Sequence, residues 1–240
     1  MTLTAIIPAR LGSKGIPGKN LMLLAGKPMI QYTIETALAC PDIDTIVLTT
    51  DDPGVVALGT RLGIIDFCER PPVLATDDAS MFDVIEHTLL WLRDRYGQLP
   101  DSTVLLQPPS PLRSVTDLTE AIRLFHDRQL NSVVSVHEMQ NHPCNCIHID
   151  GLRWGYLVEP PEGSVRRQDY PSNYYCINGA IYLANTDYLL KNRGFLSSNN
   201  QEWFVMSRLR GIDVDSMDDL LVAEALLSRT TLDAENTVDG

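Results

Sequence analysis

Short apolar runs alternate with amphipathic segments along the first half of the chain. The apolar runs have the length and β-branched content of buried strands, whereas the segments between them repeat apolar residues at helical spacing. The predicted strands are 3–9, 44–50, 64–68, 102–107 and 131–138. The predicted helices are 28–39, 53–62, 79–95 and 118–128, the last preceded by a capping box from Ser114 to Asp117. Strands and helices alternating in this way predict an α/β fold with a doubly wound, mainly parallel sheet.

This alternation stops between residues 139 and 176, where prolines and glycines separate short strand-like pieces. The pieces CIHID (146–150) and WGYLVE (154–159) predict a β-rich inserted arm. The remaining core elements are predicted as a strand at 178–185, a helix at 186–192, strand pieces at 204–207 and 211–215, and a helix at 217–229 capped by Ser216. We therefore expect an α/β core (1–138 and 177–230), an inserted arm (139–176) and a loose polar tail (231–240).

Composition indicates an ordinary globular protein. Hydrophobic residues make up 44% of the 240 residues, enough for one large α/β domain. No apolar run approaches the ~18 residues that span a bilayer, and MTLTAIIPAR lacks the charged start of a signal peptide. The five cysteines are odd in number and scattered, which is typical of reduced thiols. We therefore expect a cytoplasmic protein that does not bind membranes.

The charge distribution disfavours one class of partner and draws attention to one loop. The formal net charge is −12, whereas nucleic-acid binding requires a basic face. Arg10, Lys14 and Lys19 are nevertheless gathered within the first twenty residues. An acidic protein can bind small anions where a few cations are concentrated in this way.

These cations lie in a glycine-rich segment, ARLGSKGIPGKN (9–20), that follows the first predicted strand. It is not a P-loop, because Gly12 stands one position too early and Asn20 replaces the magnesium-binding Ser or Thr. It is not a dinucleotide fingerprint, because Lys14 stands where a glycine is needed. A tight turn with solvated charges is one remaining interpretation. We favour an anion-binding loop, because open α/β sheets bind ligands at this edge and glycines admit a polyphosphate to backbone N–H groups.

Asp213 and Asp215 stand two positions apart on the predicted strand 211–215. Strand alternation would direct both carboxylates to one face, where they would reach a single hard cation such as Mg²⁺. The spacing alone fits a surface strand with solvated carboxylates equally well. A cationic phosphate loop in the same chain favours the metal interpretation, because a metal that bridges phosphate oxygens needs oxygen ligands.

Several segments together resemble one enzyme family. ARLGSKGIPGKN resembles the signature loop of the CMP-sialic acid synthetases, cytidylyltransferases that activate nine-carbon acidic sugars. The segments RPPVLATDDAS (70–80), LLQPPSPLR (105–113), RRQDY (166–170), NGAIYL (178–183) and IDVD (212–215) resemble its other motifs, in family order. The resemblance implies a Rossmann-like core, a homodimer formed through the arm, and Mg²⁺ as cofactor. It also implies transfer of CMP from CTP to a nonulosonic acid, with release of pyrophosphate.

The resemblance assigns roles to individual residues. It implies nucleotide binding by Arg10, Gly12, Ser13, Lys14, Lys19, Asn20, Arg70 and Ser80. It implies sugar-acid binding by Gln107, Arg166, Arg167 and Asn178, and magnesium binding by Asp213 and Asp215. Arg10, Lys19 and Arg167 would neutralise charge during catalysis. Asp215 and a hydroxide on the metal remain alternatives for the base.

Two positions depart from the family pattern. Pro109 stands where the family motif has threonine, and Asn145 stands where some bacterial sialate enzymes carry a lysine near the His-Pro pair. The second departure leaves legionaminate and pseudaminate as alternatives to N-acetylneuraminate as the sugar acid. Kdo is a further alternative on the same scaffold, although the resemblance to the Kdo enzymes is weaker. A catalytically decayed nucleotide-binding protein is a further alternative, which the intact cationic loop and paired carboxylates disfavour.

Overall fold

The structure, a computed structural model, describes residues 1–12, 15–162, 170, 173–196 and 199–236, with side chains as far as 229. The strands are β1 (Leu3–Ala9), β2 (Leu23–Leu24), β3 (Lys27–Pro28), β4 (Thr45–Thr50), β5 (Asp66–Glu69), β6 (Ser102–Leu105), β7 (Ser132–Glu138), β8 (Ile147–Asp150), β9 (Arg153–Tyr156), β10 (Tyr175–Asn185) and β11 (Gln201–Val205). The α-helices are α1 (Met29–Leu38), α2 (Pro53–Arg61), α3 (Met81–Tyr96), α4 (Val115–Asp127), α5 (Thr186–Asn192) and α6 (Met217–Asn236). None of these described helices combines the length and apolarity needed to cross a membrane.

Seven strands form one central sheet in the order β11-β7-β10-β6-β1-β4-β5. β1 pairs in parallel with both β4 and β6, β4 with β5, and β11 with β7, whereas β10 is antiparallel to its two neighbours. The chain winds outward from β1 through β4 to β5 and then returns to β6 on the other side of β1. The predicted mainly parallel, doubly wound sheet is confirmed.

Helices cover both faces of the sheet because successive side chains of a buried strand point to opposite faces. Ala5 and Ile7 of β1 pack in the cluster that contains the apolar sides of α1, α2 and α4. Ile6 packs on the other face with Phe82 and Leu89 of α3. The predicted capping box of α4 is present, with reciprocal hydrogen bonds between Ser114 and the third helical residue. The core therefore lies in two layers around β1.

The segment 211–215 is not the predicted strand. Its Val214 N–H donates to the carbonyl oxygen of Pro109 at 2.8 Å, a single contact between loops instead of a strand ladder. Ile212 and Val214 alternate as in a strand, but they pack beside Ile16 in a small separate cluster with residues of α6. The alternation therefore reflects burial under the glycine-rich segment, not membership of the sheet.

Other boundaries also differ from the predictions, among them those of the final helix and of α1. The final helix continues to Asn236, so residues 231–236 of the predicted loose tail are helical, and 237–240 lie outside the described residues. Pro28 precedes α1 as its N-cap residue instead of occupying its first turn. In the predicted arm, β8 and β9 form a separate two-stranded antiparallel sheet. The division into core, arm and tail stays a prediction.

Candidate active site

The loops after β1 and β6 meet at the carboxyl edge of the sheet, where the winding direction reverses. Ligands of open α/β sheets bind at this position. A cavity of about 410 Å³, called here the first cavity, opens there. Its charged and polar lining residues are Arg10, Lys19, Asn20, Arg70, Gln107 and Asp215. Three of these six carry positive charge, so the cavity is a basic pocket on an acidic protein.

The glycine-rich loop is held against the segment after β11. Lys19 Nζ lies 2.7 Å from Asp215 Oδ1, and Asn20 donates its amide to the carbonyl oxygen of Arg10 at 3.0 Å. A Cβ on Gly15 would lie 2.6 Å from the backbone oxygen of Asp215, so the close approach of the two segments requires glycine here. Ile16 packs beside Val214 below this contact. The loop and the acidic segment thus form one wall of the first cavity.

Two guanidinium groups, of Arg10 and Arg70, also line this cavity. Arg10 is ion-paired with Asp77, at 2.5 Å between Nη2 and Oδ1. Arg70 is only 4% exposed and donates to the carbonyl oxygen of Thr49 at 3.2 Å. Burial lowers the pKa of Arg70, and the carboxylate of Asp51 opposes that effect. A cation held in a partly desolvated site interacts strongly with a phosphate oxygen, because solvent screens the charges less.

A second cavity of about 560 Å³ adjoins the first. Gln107, two residues after the end of β6, lines both of them. The other polar lining residues include His137, Asn178, Tyr182, Arg208 and Asp213. Two ligands bound in the two cavities would therefore meet near Gln107.

Burial and neighbouring charges perturb three groups in the second cavity. Burial, reinforced by the nearby carboxylate of Asp215, raises the pKa of Asp213 to about 6. Burial also raises the pKa of Tyr182, with a smaller contribution from Asp213. Burial lowers the pKa of His137, and the positive charge of Arg208 adds to the shift. At neutral pH the histidine is therefore neutral, and Asp213 is a carboxylate whose negative charge is poorly compensated.

The residues fit a magnesium site only in part. No group of three or more His, Cys, Asp or Glu side chains placed to hold a metal occurs in the described part of the chain. However, Asp213 Oδ1 is buried and has no hydrogen-bond partner among the described residues. An unpaired buried carboxylate oxygen with a raised pKa is the environment that a divalent cation would stabilise. Asp213 and Asp215 would supply two oxygen ligands, and oxygens of a bound phosphate would have to supply others.

Comparison with known families matches residues 4–150 to the family described as Cytidylyltransferase. The chain belongs to this family. CMP-N,N'-diacetyllegionaminic acid synthase from Legionella pneumophila is 35% identical over 233 residues, covering 95% of this chain and 97% of the relative. N-acylneuraminate cytidylyltransferase from Streptococcus agalactiae serotype III is 34% identical over 218 residues, covering 90% of this chain but 51% of the relative.

Two further comparisons bear on this cytidylyltransferase. Pseudaminic acid cytidylyltransferase from Campylobacter jejuni is 29% identical over 221 residues, covering 92% of this chain and 94% of the relative. A solved structure of CMP:2-keto-3-deoxy-manno-octonic acid synthetase complexed with CTP superposes with a TM-score of 0.71 at 21% identity. It covers 96% of this chain and 100% of the solved one, which confirms the fold. The family resemblance recognised in the sequence is confirmed.

The structure brings together most of the residues that the sequence nominated. The first cavity contains Arg10, Gly12, Lys19, Asn20, Arg70 and Asp215, the second contains Asn178 and Asp213, and Gln107 lines both. Ser80 is the exposed N-cap residue of α3, and its neighbour Met81 lines the first cavity in its place. Ser13, Lys14, Arg166 and Arg167 lie outside the described residues.

Several polar residues of the cytidylyltransferase's second cavity were not found from the sequence, and three of them have the most bearing on its chemistry. They are His137, Tyr182 and Arg208. His137 was the most detectable, because a histidine that continues an apolar strand run is unusual. Nothing in the local sequence distinguishes Arg208 from a solvated surface arginine, since only the tertiary fold brings it to this cavity.

The two residues that depart from the family pattern, Pro109 and Asn145, both make defined contacts in the structure. Pro109 lines the first cavity, and its carbonyl oxygen accepts the hydrogen bond from Val214 that anchors the acidic segment. Asn145 lies in the arm, where its Oδ1 accepts from the hydroxyl of Tyr170 at 2.7 Å. The ring of Tyr170 stacks on His142 with 4.3 Å between centroids. The Asn145 side chain is thus engaged in packing within the arm.

Proposed function

We propose that this protein is a CTP-dependent cytidylyltransferase that activates a nonulosonic acid and releases pyrophosphate. The first cavity, with Arg10, Lys19 and Arg70, would hold the nucleotide, and the second cavity would hold the sugar acid. The observation that carries the proposal is the position of Gln107 in the lining of both cavities. Two bound reactants would meet at this residue, as direct transfer between them requires.

The proposed reaction joins two anions. The anomeric hydroxyl oxygen of the sugar acid attacks the α-phosphorus of CTP, and the bond from that phosphorus to the oxygen that bridges to the β-phosphate breaks. Pyrophosphate leaves, and the hydroxyl proton passes to a carboxylate or to water; the exposed Asp215, which lines the first cavity, is the proposed carboxylate. Arg10 and Lys19 would favour this reaction mainly by binding and orienting the triphosphate and by neutralising its charge.

The ion pairs of the first cavity support this use of the cations. Arg10 is paired with Asp77, and Lys19 is paired with Asp215. Carboxylates therefore occupy positions beside both cations where phosphate oxygens would bind, and a triphosphate would compete with them. Mg²⁺ bound by Asp213 and Asp215 would supply further charge neutralisation at the triphosphate.

The substrate class is proposed from relatives that cover nearly the whole chain. The Legionella and Campylobacter relatives are named for legionaminic and pseudaminic acids, both activated as CMP sugars. Asn178, Arg208 and Tyr182 give the second cavity the hydrogen-bond donors that an oxygen-rich, anionic sugar requires. We propose N,N'-diacetyllegionaminic acid as the first substrate to test, because that relative is 35% identical and matches end to end.

We also propose a cytoplasmic homodimer. The hairpin of β8 and β9 carries exposed apolar side chains on both strands, with Ile149 70% and Trp154 61% exposed. An isolated two-stranded hairpin is marginally stable in water, so a second copy of the chain packed on this surface would stabilise it. All five cysteines are free thiols, which is typical of a reducing compartment.

The experiment that tests the proposed function identifies the product by mass spectrometry. The protein is incubated with CTP, Mg²⁺ and, separately, N,N'-diacetyllegionaminate, N-acetylneuraminate, pseudaminate or Kdo. The expected result is the CMP conjugate of one nonulosonic acid together with pyrophosphate. Formation of CMP-Kdo alone, or of no conjugate with CTP bound, would contradict the proposed substrate class.

A further inference from the structure

β10 contains a bulge of four residues at the edge of the second cavity. Ile177 pairs with Val136 of β7, but the next paired residue of β10 is Tyr182, which pairs with Val134. Four residues of β10, 178–181, therefore lie opposite a single residue of β7, Ser135. Ser135 is fully buried. Its hydroxyl is the side-chain group of β7 that faces the unpaired backbone of the bulge.

The Ser135 hydroxyl makes two hydrogen bonds across the bulge. It accepts from the backbone N–H of Ile181 at 2.8 Å and donates to Asn178 Oδ1 at 2.6 Å. Asn178 Oδ1 also accepts from the backbone N–H of Ala180 at 3.2 Å. Because that N–H can only donate, the side-chain atom facing it must be the carbonyl oxygen. The amide of Asn178 is thereby fixed in one orientation.

In this orientation the carbonyl oxygen of the amide, and not its nitrogen, faces the Ser135 hydroxyl. Asn178 is 4% exposed, and its Nδ2 has no hydrogen-bond partner among the described residues. The same side chain lines the second cavity. A Cβ on Gly211 would lie only 2.5 Å from Nδ2, so glycine leaves the room that the amide needs. A buried donor without a partner is unfavourable unless a ligand supplies the acceptor.

We propose that Ser135 is a positioning residue for the sugar-acid site: it fixes the Asn178 amide so that Nδ2 donates to an acceptor oxygen of the substrate. The acceptor is a carboxylate, carbonyl or hydroxyl oxygen of the sugar acid. The inference rests on the proposed function and adds to it a residue that does not itself touch the substrate. Without the Ser135 hydroxyl, the amide loses its stronger anchor and can rotate.

Steady-state kinetics of Ser135→Ala, compared with Ser132→Ala, test the proposal. Ser132 is a matched control, because it is a fully buried serine of the same strand whose hydroxyl has no partner in the described part of the chain. In Ser135→Ala the KM for the sugar acid should rise about tenfold or more, since a substrate hydrogen bond is weakened. The KM for CTP should stay within about twofold, because the nucleotide site is separate. Ser132→Ala should resemble the wild type in both constants.

A double-mutant cycle shows whether Ser135 acts through Asn178. If it does, adding Ser135→Ala to Asn178→Ala should leave the KM for the sugar acid unchanged. Equal effects of Ser135→Ala in both backgrounds, or a KM like that of Ser132→Ala, would overturn the inference. If Ser135→Ala does not fold, Ser135→Thr and Ser135→Val replace it, because they have similar shapes and only threonine keeps the hydroxyl. If the wild type is active and Ser135→Thr and Ser135→Val have equal KM values for the sugar acid, the inference is overturned but the proposed function is not. If the wild type is inactive with every sugar acid, the proposed function is overturned as well.

Discussion

Lys19 Nζ lies 2.7 Å from Asp215 Oδ1, an ion pair between residues 196 positions apart in the chain. The pair joins the glycine-rich loop to the segment after β11 and lies in the wall of the first cavity. The lysine side chain is 11% exposed, whereas that of the aspartate is 75% exposed. The cation is therefore held in place while its partner faces solvent, from which a triphosphate would arrive.

Lys19→Met should strongly impair nucleotide use with little loss of stability. We expect kcat/KM for CTP to fall about a hundredfold, since a charge-assisted contact to phosphate is lost in a partly buried site. The melting temperature should change little, because ion pairs with one solvent-exposed partner contribute only about 0–1 kcal/mol. The control is Lys27→Met, which removes a surface lysine paired with Glu35 at 3.0 Å. Equal kcat/KM values in the two variants would exclude the assigned role of Lys19.

Gly15→Ala should impair catalysis by moving the wall of the first cavity. The added Cβ would lie 2.6 Å from the backbone oxygen of Asp215, so one of the two segments must shift. We expect kcat/KM to fall at least about tenfold, because displacement of binding groups by about 1 Å is costly in rate. Gly194→Ala is the matched control, since no atom lies within 4 Å of its added Cβ. Wild-type kinetics in Gly15→Ala would show that this contact does not hold the site together.

Magnesium should stabilise the CTP-bound protein, and more so at higher pH. Burial and the carboxylate of Asp215 raise the pKa of Asp213 to about 6. Protonation of Asp213 below that pH competes with the metal, so the Mg²⁺-induced rise in melting temperature should be smaller near pH 5.5 than near pH 7.5. The measurement is thermal unfolding with CTP and without sugar acid, at both pH values, with and without Mg²⁺.

The same thermal unfolding measurement on Asp215→Asn tests whether Asp215 is a magnesium ligand. The magnesium shift should largely disappear in this variant, because one of the two proposed oxygen ligands loses its charge. Asp218→Asn removes the same charge from the exposed first turn of α6 and should keep the shift. If Asp215→Asn and Asp218→Asn behave alike, Asp215 is not a ligand.

The hairpin of the arm should form the interface of the proposed dimer. Ile149→Asp would place a charge in the middle of its apolar surface, and we expect the protein to become monomeric, because an unpaired charge is costly to bury. Ile65→Asp is the control, since Ile65 is similarly exposed, at 76% against 70%, but lies outside the arm. Light scattering after size-exclusion chromatography measures the mass. A dimer that survives Ile149→Asp but not Ile65→Asp would locate the interface elsewhere.

The sequence predicted those parts of the fold and site that depend on local pattern. The strand 3–9, the capping box at Ser114 and the gathering of Arg10 and Lys19 in one loop are all visible within a few residues. These features follow from alternation, side-chain capping and charge, which act over short distances.

The features that the sequence did not reveal depend on distant contacts. Alternating Ile212 and Val214 resembled a strand, but their burial beside Ile16 comes from loop packing. Arg113, within a loop motif, is 3% exposed and donates to Thr33 Oγ1 at 2.9 Å. It also donates to the carbonyl oxygen of Ala180 in the β10 bulge. No local pattern distinguishes such a buried arginine, which joins α1 to the bulge of β10, from an arginine that binds substrate.

The most direct test of the account is pyrophosphate release from each nucleoside triphosphate in the presence of Mg²⁺ and a mixture of nonulosonic acids. We predict release with CTP, little or none with ATP, GTP or UTP, and none with CTP when the sugar acids are omitted. Release that is equal for CTP and UTP, or that does not need a sugar acid, would contradict a cytidylyltransferase built on these two cavities.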